Sequence, residues 1–201
     1  MIPLYDKKRI GNSFPLVTAF LIVINTIFFL CTISNLNYYI DFFGFTSGKL
    51  WDGRFFTIIT SMFLHGNIWH LIFNMWFLWV FGNNLESCLG KIKFLAFYLL
   101  CGIGGAVVYA LAMSDPTSAV IGASGAISGV LGGYLVCFPK NKIKTFLFLF
   151  IVSIPAVIYI FIWFLLQLFS TSGIDTSVAY WGHIGGFISG IAFVKMIKKR
   201  R

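Results

Sequence analysis

Two glycine-rich stretches, IGASGAISGVLGG at residues 121–133 and AYWGHIGGFISG at residues 179–190, decide the fold. Glycine recurs at every fourth residue in both, at Gly125, Gly129 and Gly133 in the first and at Gly182, Gly186 and Gly190 in the second. Small residues at this spacing in apolar segments are typical of membrane helices whose backbones approach closely. The pattern predicts two spanning helices in direct contact.

The composition of the chain is that of a membrane protein. Of its 201 residues, 59% are hydrophobic and 10% are charged, and the mean hydropathy is +0.90. These values lie outside the range of soluble domains. The net charge of +9 comes from short basic clusters between apolar segments, which argues against a nucleic-acid partner. The four cysteines form no CxxC pair, so neither disulfides nor structural zinc is expected.

Apolar stretches about 20 residues long recur along the chain and predict about six spanning helices. They cover roughly residues 15–34, 66–85, 94–113, 118–138, 145–169 and 178–197. The connection from Asn35 to Leu64 is expected to be an ordered interfacial element, partly buried through Trp51, Phe55, Phe56 and Met62. The chain is therefore expected to be all-α, with residues 1–201 forming a single helical membrane domain.

The basic residues predict the orientation of this domain. Of the 15 Lys and Arg residues, Lys49 and Arg54 alone fall on one face of the predicted topology. The other face, which carries both termini, holds Lys7, Lys8, Arg9, Lys91, Lys93, Lys140, Lys142, Lys144, Lys195, Lys198, Lys199, Arg200 and Arg201. The positive-inside rule then predicts a multi-pass protein of the cell membrane with cytoplasmic termini. The outer face would carry Asp41, Asp52, Asp115 and Asp175.

The two ends of the chain fit this orientation. The N-terminus has basic residues before an apolar run but no small-residue cleavage site, so we expect a retained helix. The basic tail KMIKKRR, residues 195–201, is expected to bind anionic membrane lipids.

Polar residues at membrane depth are costly and are therefore candidates for function. His70 and Asn74 lie one turn apart on the second predicted span, while Ser124 and His183 lie near the outer ends of the fourth and sixth. The glycine faces beside Ser124 and His183 would bring the hydroxyl within reach of the imidazole. The sequence predicts a serine nucleophile beside a histidine base.

This pair supports acyl transfer. His183 would remove the Ser124 proton and later protonate the leaving amine. Backbone N–H groups around Ser124 and the side chains of Asn74 and His70 would donate to the oxyanion. The polar residues His65, Asn67 and Ser118 would form a mouth that admits water. We expect an opening toward the outer face.

Three motifs together resemble the rhomboid intramembrane serine proteases: GASG at residues 122–125, HxxxxHxxxN from His65 to Asn74, and GHIGG at residues 182–186. The resemblance implies a six-transmembrane-helix rhomboid-like bundle and a serine endopeptidase with a Ser124–His183 dyad. It also implies an oxyanion hole of His70, Asn74 and Ser124, transmembrane protein substrates, and no metal or other cofactor. Glu86 matches a structural acidic position of the family.

The chain departs from the family pattern at two places. Many bacterial members carry an aromatic residue beneath the catalytic histidine, four positions after the nucleophile, where this chain has Ser128. The Trp-Arg pair of the first loop is replaced by Phe56 and Thr57. Neither change removes a group that the chemistry requires.

Three other functions fit part of the pattern. His65, His70 and His183 could bind a metal or haem, although no HExxH motif and no carboxylate at that depth accompany them. A rhomboid-like protein that binds clients without cleaving them would be expected to lack the serine or histidine. A channel or transporter would be expected to have paired half-helices or intramembrane charges, and neither is visible in this sequence.

The fifth span, with Pro155 inside it, is expected to be a mobile wall through which the substrate enters. The natural substrate, its preferred cleavage site and the oligomeric state are not encoded in these patterns.

Overall fold

The computed structural model describes residues 1–6, 14–113, 115–147, 149–170 and 179–199. In these ranges the α-helices are α1 (Leu16–Thr32), α2 (Leu36–Phe43), α3 (Gly48–Trp51), α4 (Thr57–Thr60), α5 (Ile68–Phe77), α6 (Asn83–Leu89), α7 (Lys91–Ala112), α8 (Ser124–Cys137), α9 (Ala156–Ser170) and α10 (Tyr180–Lys199). Six charged residues used to predict the orientation lie outside these ranges: Lys7, Lys8, Arg9, Asp175, Arg200 and Arg201.

A three-stranded antiparallel sheet corrects the expectation of an all-α chain. Its strands are β1 (Ile2–Asp6), β2 (Lys142–Leu147) and β3 (Phe150–Pro155), in the spatial order β1-β2-β3. Strands β2 and β3 form a hairpin, and β2 also pairs with the N-terminal strand. The remainder of the described chain is mainly helical.

The hairpin changes the fifth predicted span, which was expected to run from 145 to 169. Helix α9 begins at Ala156, because the residues before it pair as strands. Pro155 ends β3 and does not interrupt a helix, so the expected proline within the span is wrong. The start of α9 is tied to the preceding chain, since the amide of Ala156 donates to the carbonyl of Asn141 at 2.7 Å.

The other predicted spans correspond to helices of the structure. The spans 15–34, 94–113 and 178–197 match α1, α7 and α10 within a few residues. The span 66–85 is divided into α5, a π-helical segment at Leu78–Gly82, and α6. By length and composition, Leu16–Phe43 and Lys91–Ala112 can each cross a membrane, while α8 and α9 are shorter apolar helices. The count of six spans stays a prediction.

Helices α8 and α10 pack through their glycines, as the spacing predicted. A Cβ on Gly186 would lie 2.0 Å from the carbonyl oxygen of Gly125, and one on Gly190 would lie 2.1 Å from that of Gly129. The contacts advance along both helices in the same direction, so α8 and α10 run parallel. Their first turns therefore lie at the same end of the bundle, where Ser124 and His183 are found.

The outer surface of α1 is apolar. Its exposed side chains include Phe20, Val23, Ile27 and Leu30, each more than half exposed. Their spacing of three to four residues places them on one helix face. An apolar stripe of this kind fits contact with lipid.

The connection between α1 and α5 is an ordered element that reaches the region before α8. Phe45 and Val120 exchange backbone hydrogen bonds of 3.1 and 2.7 Å. Phe45 and Met62 are buried at 1% and 4% exposure, whereas Trp51 is 90% exposed. The expected order of this element is confirmed, but the expected burial holds for Met62 and not for Trp51, Phe55 and Phe56, which are all exposed.

Candidate active site

Ser124 begins α8 directly after a turn that requires glycine. Gly122 has φ +113°, a conformation that side chains with a Cβ rarely adopt. Its amide donates to the carbonyl of Ser61 at 2.9 Å. This hydrogen bond holds the turn against the connection between α1 and α5. The turn places Ser124 at the end of the bundle where α10 begins.

Gly122 also leaves room for two polar side chains of α5. A methyl group built on Gly122 would lie 2.7 Å from His70 Nε2 and 3.6 Å from Asn74 Nδ2. The backbone two residues before Ser124 therefore faces both side chains.

One cavity brings together the four side chains that the sequence predicted for the site. It has a volume of about 490 Å³, and its walls include Ser124, His183, His70 and Asn74. A second cavity of about 160 Å³ also has Ser124, Asn74 and His183 in its walls, between α5, α8, α9 and α10. Within the described part of the chain, no hydrogen bond joins the Ser124 hydroxyl to His183.

Asn74 has an amide nitrogen with no hydrogen-bond partner among the described residues. The residue is 8% exposed, and among the described residues its Nδ2 contacts no acceptor. A buried donor left in this state costs about 1–3 kcal/mol. The position is therefore suited to an acceptor that arrives from outside, such as the oxygen of a substrate carbonyl.

The helix that carries His70 and Asn74 has a defined start. Asn67 is its N-cap, and Oδ1 of Asn67 accepts a hydrogen bond from the amide of His70 at 2.9 Å. This cap satisfies one of the free amides of the first turn. The cap also fixes the start of α5, where His70 faces Gly122.

His183 contacts α9 through two residues that the sequence analysis missed. Its Nδ1 lies 2.7 Å from Oε1 of Gln167, and its ring centroid lies 6.3 Å from that of Trp163. Tyr180 packs edge-on at 6.2 Å from the same ring. A signal was present in the sequence, because Gln167 is an amide side chain inside the long apolar run of α9, where polar groups are costly.

The expected polar mouth is only partly formed. Asn67 lines the larger cavity, but His65 is fully buried, with its ring centroid 5.1 Å from that of His70. Ser118 is hydrogen-bonded to the hydroxyl of Tyr109 at 2.8 Å. In the part of the chain that the structure describes, no group of three His, Cys, Asp or Glu residues is arranged to hold a metal ion.

One of the two departures from the family pattern, that in the first connection, has a local replacement. Ser128 does not support His183, since its hydroxyl donates to the carbonyl of Ser124 at 2.7 Å. In the first connection, Arg54 stands over the rings of Phe42 and Phe56 at 5.2 and 5.9 Å. Arg54 also donates to the carbonyl of Phe42 at 2.6 Å. Arg54, three positions before the arginine of the family pattern, therefore anchors the first connection.

A second cation holds the end of α2. Nζ of Lys49 donates to the carbonyls of Gly44 at 2.7 Å and Ile40 at 3.2 Å. Partial burial and the neighbouring charge of Arg54 lower the pKa of Lys49. The carbonyls at the end of a helix are a favourable place for a cation.

Comparison with known proteins identifies the family. Residues 52–200 match the model of the Rhomboid domain. The chain is 37% identical to the "Rhomboid protease GluP" of Bacillus subtilis (strain 168) over 139 residues, which are 69% of this chain and 25% of that protein. It is 33% identical to the "Putative rhomboid protease YdcA" of the same organism over 153 residues, which are 75% of this chain and 72% of that protein.

A plant relative is similar over a comparable region. The chain is 34% identical to the "RHOMBOID-like protein 6, mitochondrial" of Arabidopsis thaliana over 140 residues, 66% of this chain and 40% of that protein. The chain thus spans less than two thirds of the length of two of these three relatives.

Proposed function

The chain belongs to the rhomboid family, and we propose that it is an intramembrane serine endopeptidase. Its apolar helices are those of a membrane protein. Its substrates would be membrane proteins cleaved in or next to a transmembrane segment. The observation that carries the proposal is the cavity of about 490 Å³ whose walls contain Ser124, His183, His70 and Asn74.

The proposed reaction begins with the Ser124 hydroxyl. His183 removes its proton as Oγ attacks the substrate carbonyl, and the resulting imidazolium protonates the leaving amine as the peptide C–N bond breaks. Water then attacks the acyl-enzyme with His183 again acting as base. Each proton that Ser124 or water gives up is returned to the amine or to Ser124.

The oxyanion formed during this attack needs donors. The buried Nδ2 of Asn74, without an acceptor among the described residues, is available for it. His70 faces the same glycine turn, and the backbone amide of Ser124 adds a third donor. Such donors act strongly in a site with little water, where one of them contributes about 100- to 1,000-fold to kcat.

A transmembrane substrate has to reach Ser124 from the lipid. The smaller cavity supports an entry between α5 and α9, because Phe73 and Phe77 line one side of it and Trp163 and Gln167 line the other. Helix α9 would move to admit the substrate, as expected for the fifth span, although Pro155 is not inside this helix.

We propose the cell membrane as the location, with cytoplasmic termini and an active site that opens toward the outer face. The orientation follows from the asymmetry of basic residues along the chain. The plant relative, whose name includes "mitochondrial", belongs to the same family, so the assay has to establish the location as well as the orientation. A protease-accessibility assay on sealed vesicles tests the orientation, and digestion of the C-terminal tail from the outer side would contradict it.

Cleavage in a bilayer tests the function. A labelled single-span substrate is incubated with the purified protein in liposomes, with a chelator present throughout. We expect cleavage by the wild type and none by Ser124→Ala or His183→Ala. If Ser124→Ala still cleaved the substrate, another nucleophile would be at work. If the folded wild type cleaved none of several substrates, the chain would be a client-binding member of the family.

A further inference from the structure

Gln167 is a polar side chain that contacts the imidazole of His183. It lies on α9 with its side chain half-buried, and it shares a cavity wall with His183, Ser124 and Asn74. Its Oε1 is 2.7 Å from His183 Nδ1, a short hydrogen-bond distance for a nitrogen and an oxygen. The proposed base, His183 of α10, is thus held by a side chain of α9.

We propose that Gln167 is a positioning residue that keeps His183 in the tautomer required for proton removal; this inference rests on the proposed function. A carbonyl oxygen can only accept a hydrogen bond, so the proton lies on Nδ1 of His183. Nε2 of the neutral ring then carries the free electron pair. That atom is the one left to take the proton of Ser124.

The other neighbours of His183 among the described residues do not make this choice of tautomer. Trp163 and Tyr180 contact the ring through their own aromatic rings, at 6.3 and 6.2 Å between centroids. Such contacts restrict how the imidazole turns, but they do not distinguish one ring nitrogen from the other. The hydroxyl of Ser128 donates its hydrogen bond to the carbonyl of Ser124 and not to the ring of His183.

The amide suits its surroundings in the membrane. A carboxylate orients the histidine in many serine hydrolases, but an ionised carboxylate is costly in an apolar helix. A neutral amide supplies the same acceptor at a lower cost of burial. It also gives less stabilisation to the imidazolium, so its contribution to the rate is expected to be smaller than that of a carboxylate.

Gln167→Leu removes the acceptor and keeps the apolar bulk. In the liposome assay we expect kcat to fall about 10- to 100-fold, at or below the low end of the roughly 100- to 10,000-fold that a general base contributes, with KM within about twofold. Gln167→Glu keeps an oxygen at the same place and should recover most of the rate. Ile158→Ala, a lipid-exposed change on the same helix, is the matched control and should behave as wild type. Thermal unfolding of each variant verifies that it is folded.

A second readout reports the tautomer itself. Nitrogen-15 chemical shifts of the histidine rings in detergent micelles, with the His183 signals assigned from a His183→Ala spectrum, distinguish protonated Nδ1 from protonated Nε2. We expect Nδ1–H in the wild type and in Ser124→Ala, and a shift toward Nε2–H in Gln167→Leu.

The two readouts separate the possible failures. An unchanged kcat and an unchanged tautomer in Gln167→Leu would overturn the role of Gln167 while leaving the protease intact. Equal loss of rate in Gln167→Leu and Gln167→Glu, with the tautomer unchanged, would also overturn it, since the residue would then be structural. Absence of cleavage by the wild type would instead remove the proposed function on which the inference rests.

Discussion

Glu86 holds the first turn of α1 through Thr18, 68 positions earlier in the chain. Its Oε2 accepts hydrogen bonds from both the amide and the hydroxyl of Thr18 at 2.8 Å, and its Oε1 accepts one from the amide of Val17 at 3.0 Å. Glu86 is 3% exposed. A buried carboxylate at the start of a helix both satisfies free amides and complements the helix dipole.

We expect Glu86→Ala to lower the free energy of unfolding by about 2 kcal/mol or more, because three donors lose their acceptor. Thermal or denaturant unfolding in detergent micelles measures the effect. Ser87→Ala is the control, since its hydroxyl donates a hydrogen bond to the carbonyl of Asn83 on its own helix. Equal stability of the two variants would contradict the capping role.

The contact between α8 and α10 gives a second prediction, with a control on the same helix. A Cβ on Gly186 would meet the carbonyl oxygen of Gly125 at 2.0 Å, whereas a Cβ on Gly182 would meet its nearest neighbours at 3.8 Å. We expect Gly186→Ala to destabilise the protein by about 1–3 kcal/mol through overpacking. Gly182→Ala should change the midpoint of unfolding little. Equal effects would mean that the helices are further apart than described.

Asn74 allows catalysis and stability to be separated. We expect Asn74→Ala to lower kcat about 100- to 1,000-fold through the loss of an oxyanion donor. Because Nδ2 of Asn74 has no acceptor among the described residues, its removal should not lower the stability. Kinetics in liposomes and thermal unfolding of the same preparation measure the two quantities. A variant that loses stability but keeps its kcat would contradict the assignment.

The proposed entry between α5 and α9 can be closed by a disulfide. Phe77→Cys and Trp163→Cys place thiols on opposite sides of the smaller cavity, in a background where the native cysteines are replaced. We expect the oxidised protein to cleave a membrane-embedded substrate more slowly than the reduced protein, which serves as the control. Unchanged cleavage after complete cross-linking would rule out this route.

Residues of the candidate site could be grouped from sequence because topology fixes their depth. Helices that enter from the same side place Ser124 and His183 at one level, and the glycine spacing identifies the faces that meet. The His70–Asn74 spacing on one helix face adds the other two groups. Local periodicity and the number of membrane crossings contain this information.

The features that were missed depend on contacts between distant segments. Residues 142–155 are rich in Phe, Ile and Leu, which hydropathy cannot assign to a helix or a strand, and the pairing of β2 with β1 is non-local. The contact of Gln167 with His183 likewise depends on how α9 turns toward α10. No periodicity within either helix contains that information.

The most direct test of the central claim is the identity of the activated nucleophile. A small fluorophosphonate is reacted with the protein in liposomes, and the adduct is located by mass spectrometry of the digested chain. We expect one phosphonylated residue, Ser124, and a loss of labelling in His183→Ala with the fold retained. An adduct on another residue, or labelling of Ser124 that does not depend on His183, would contradict the proposed dyad.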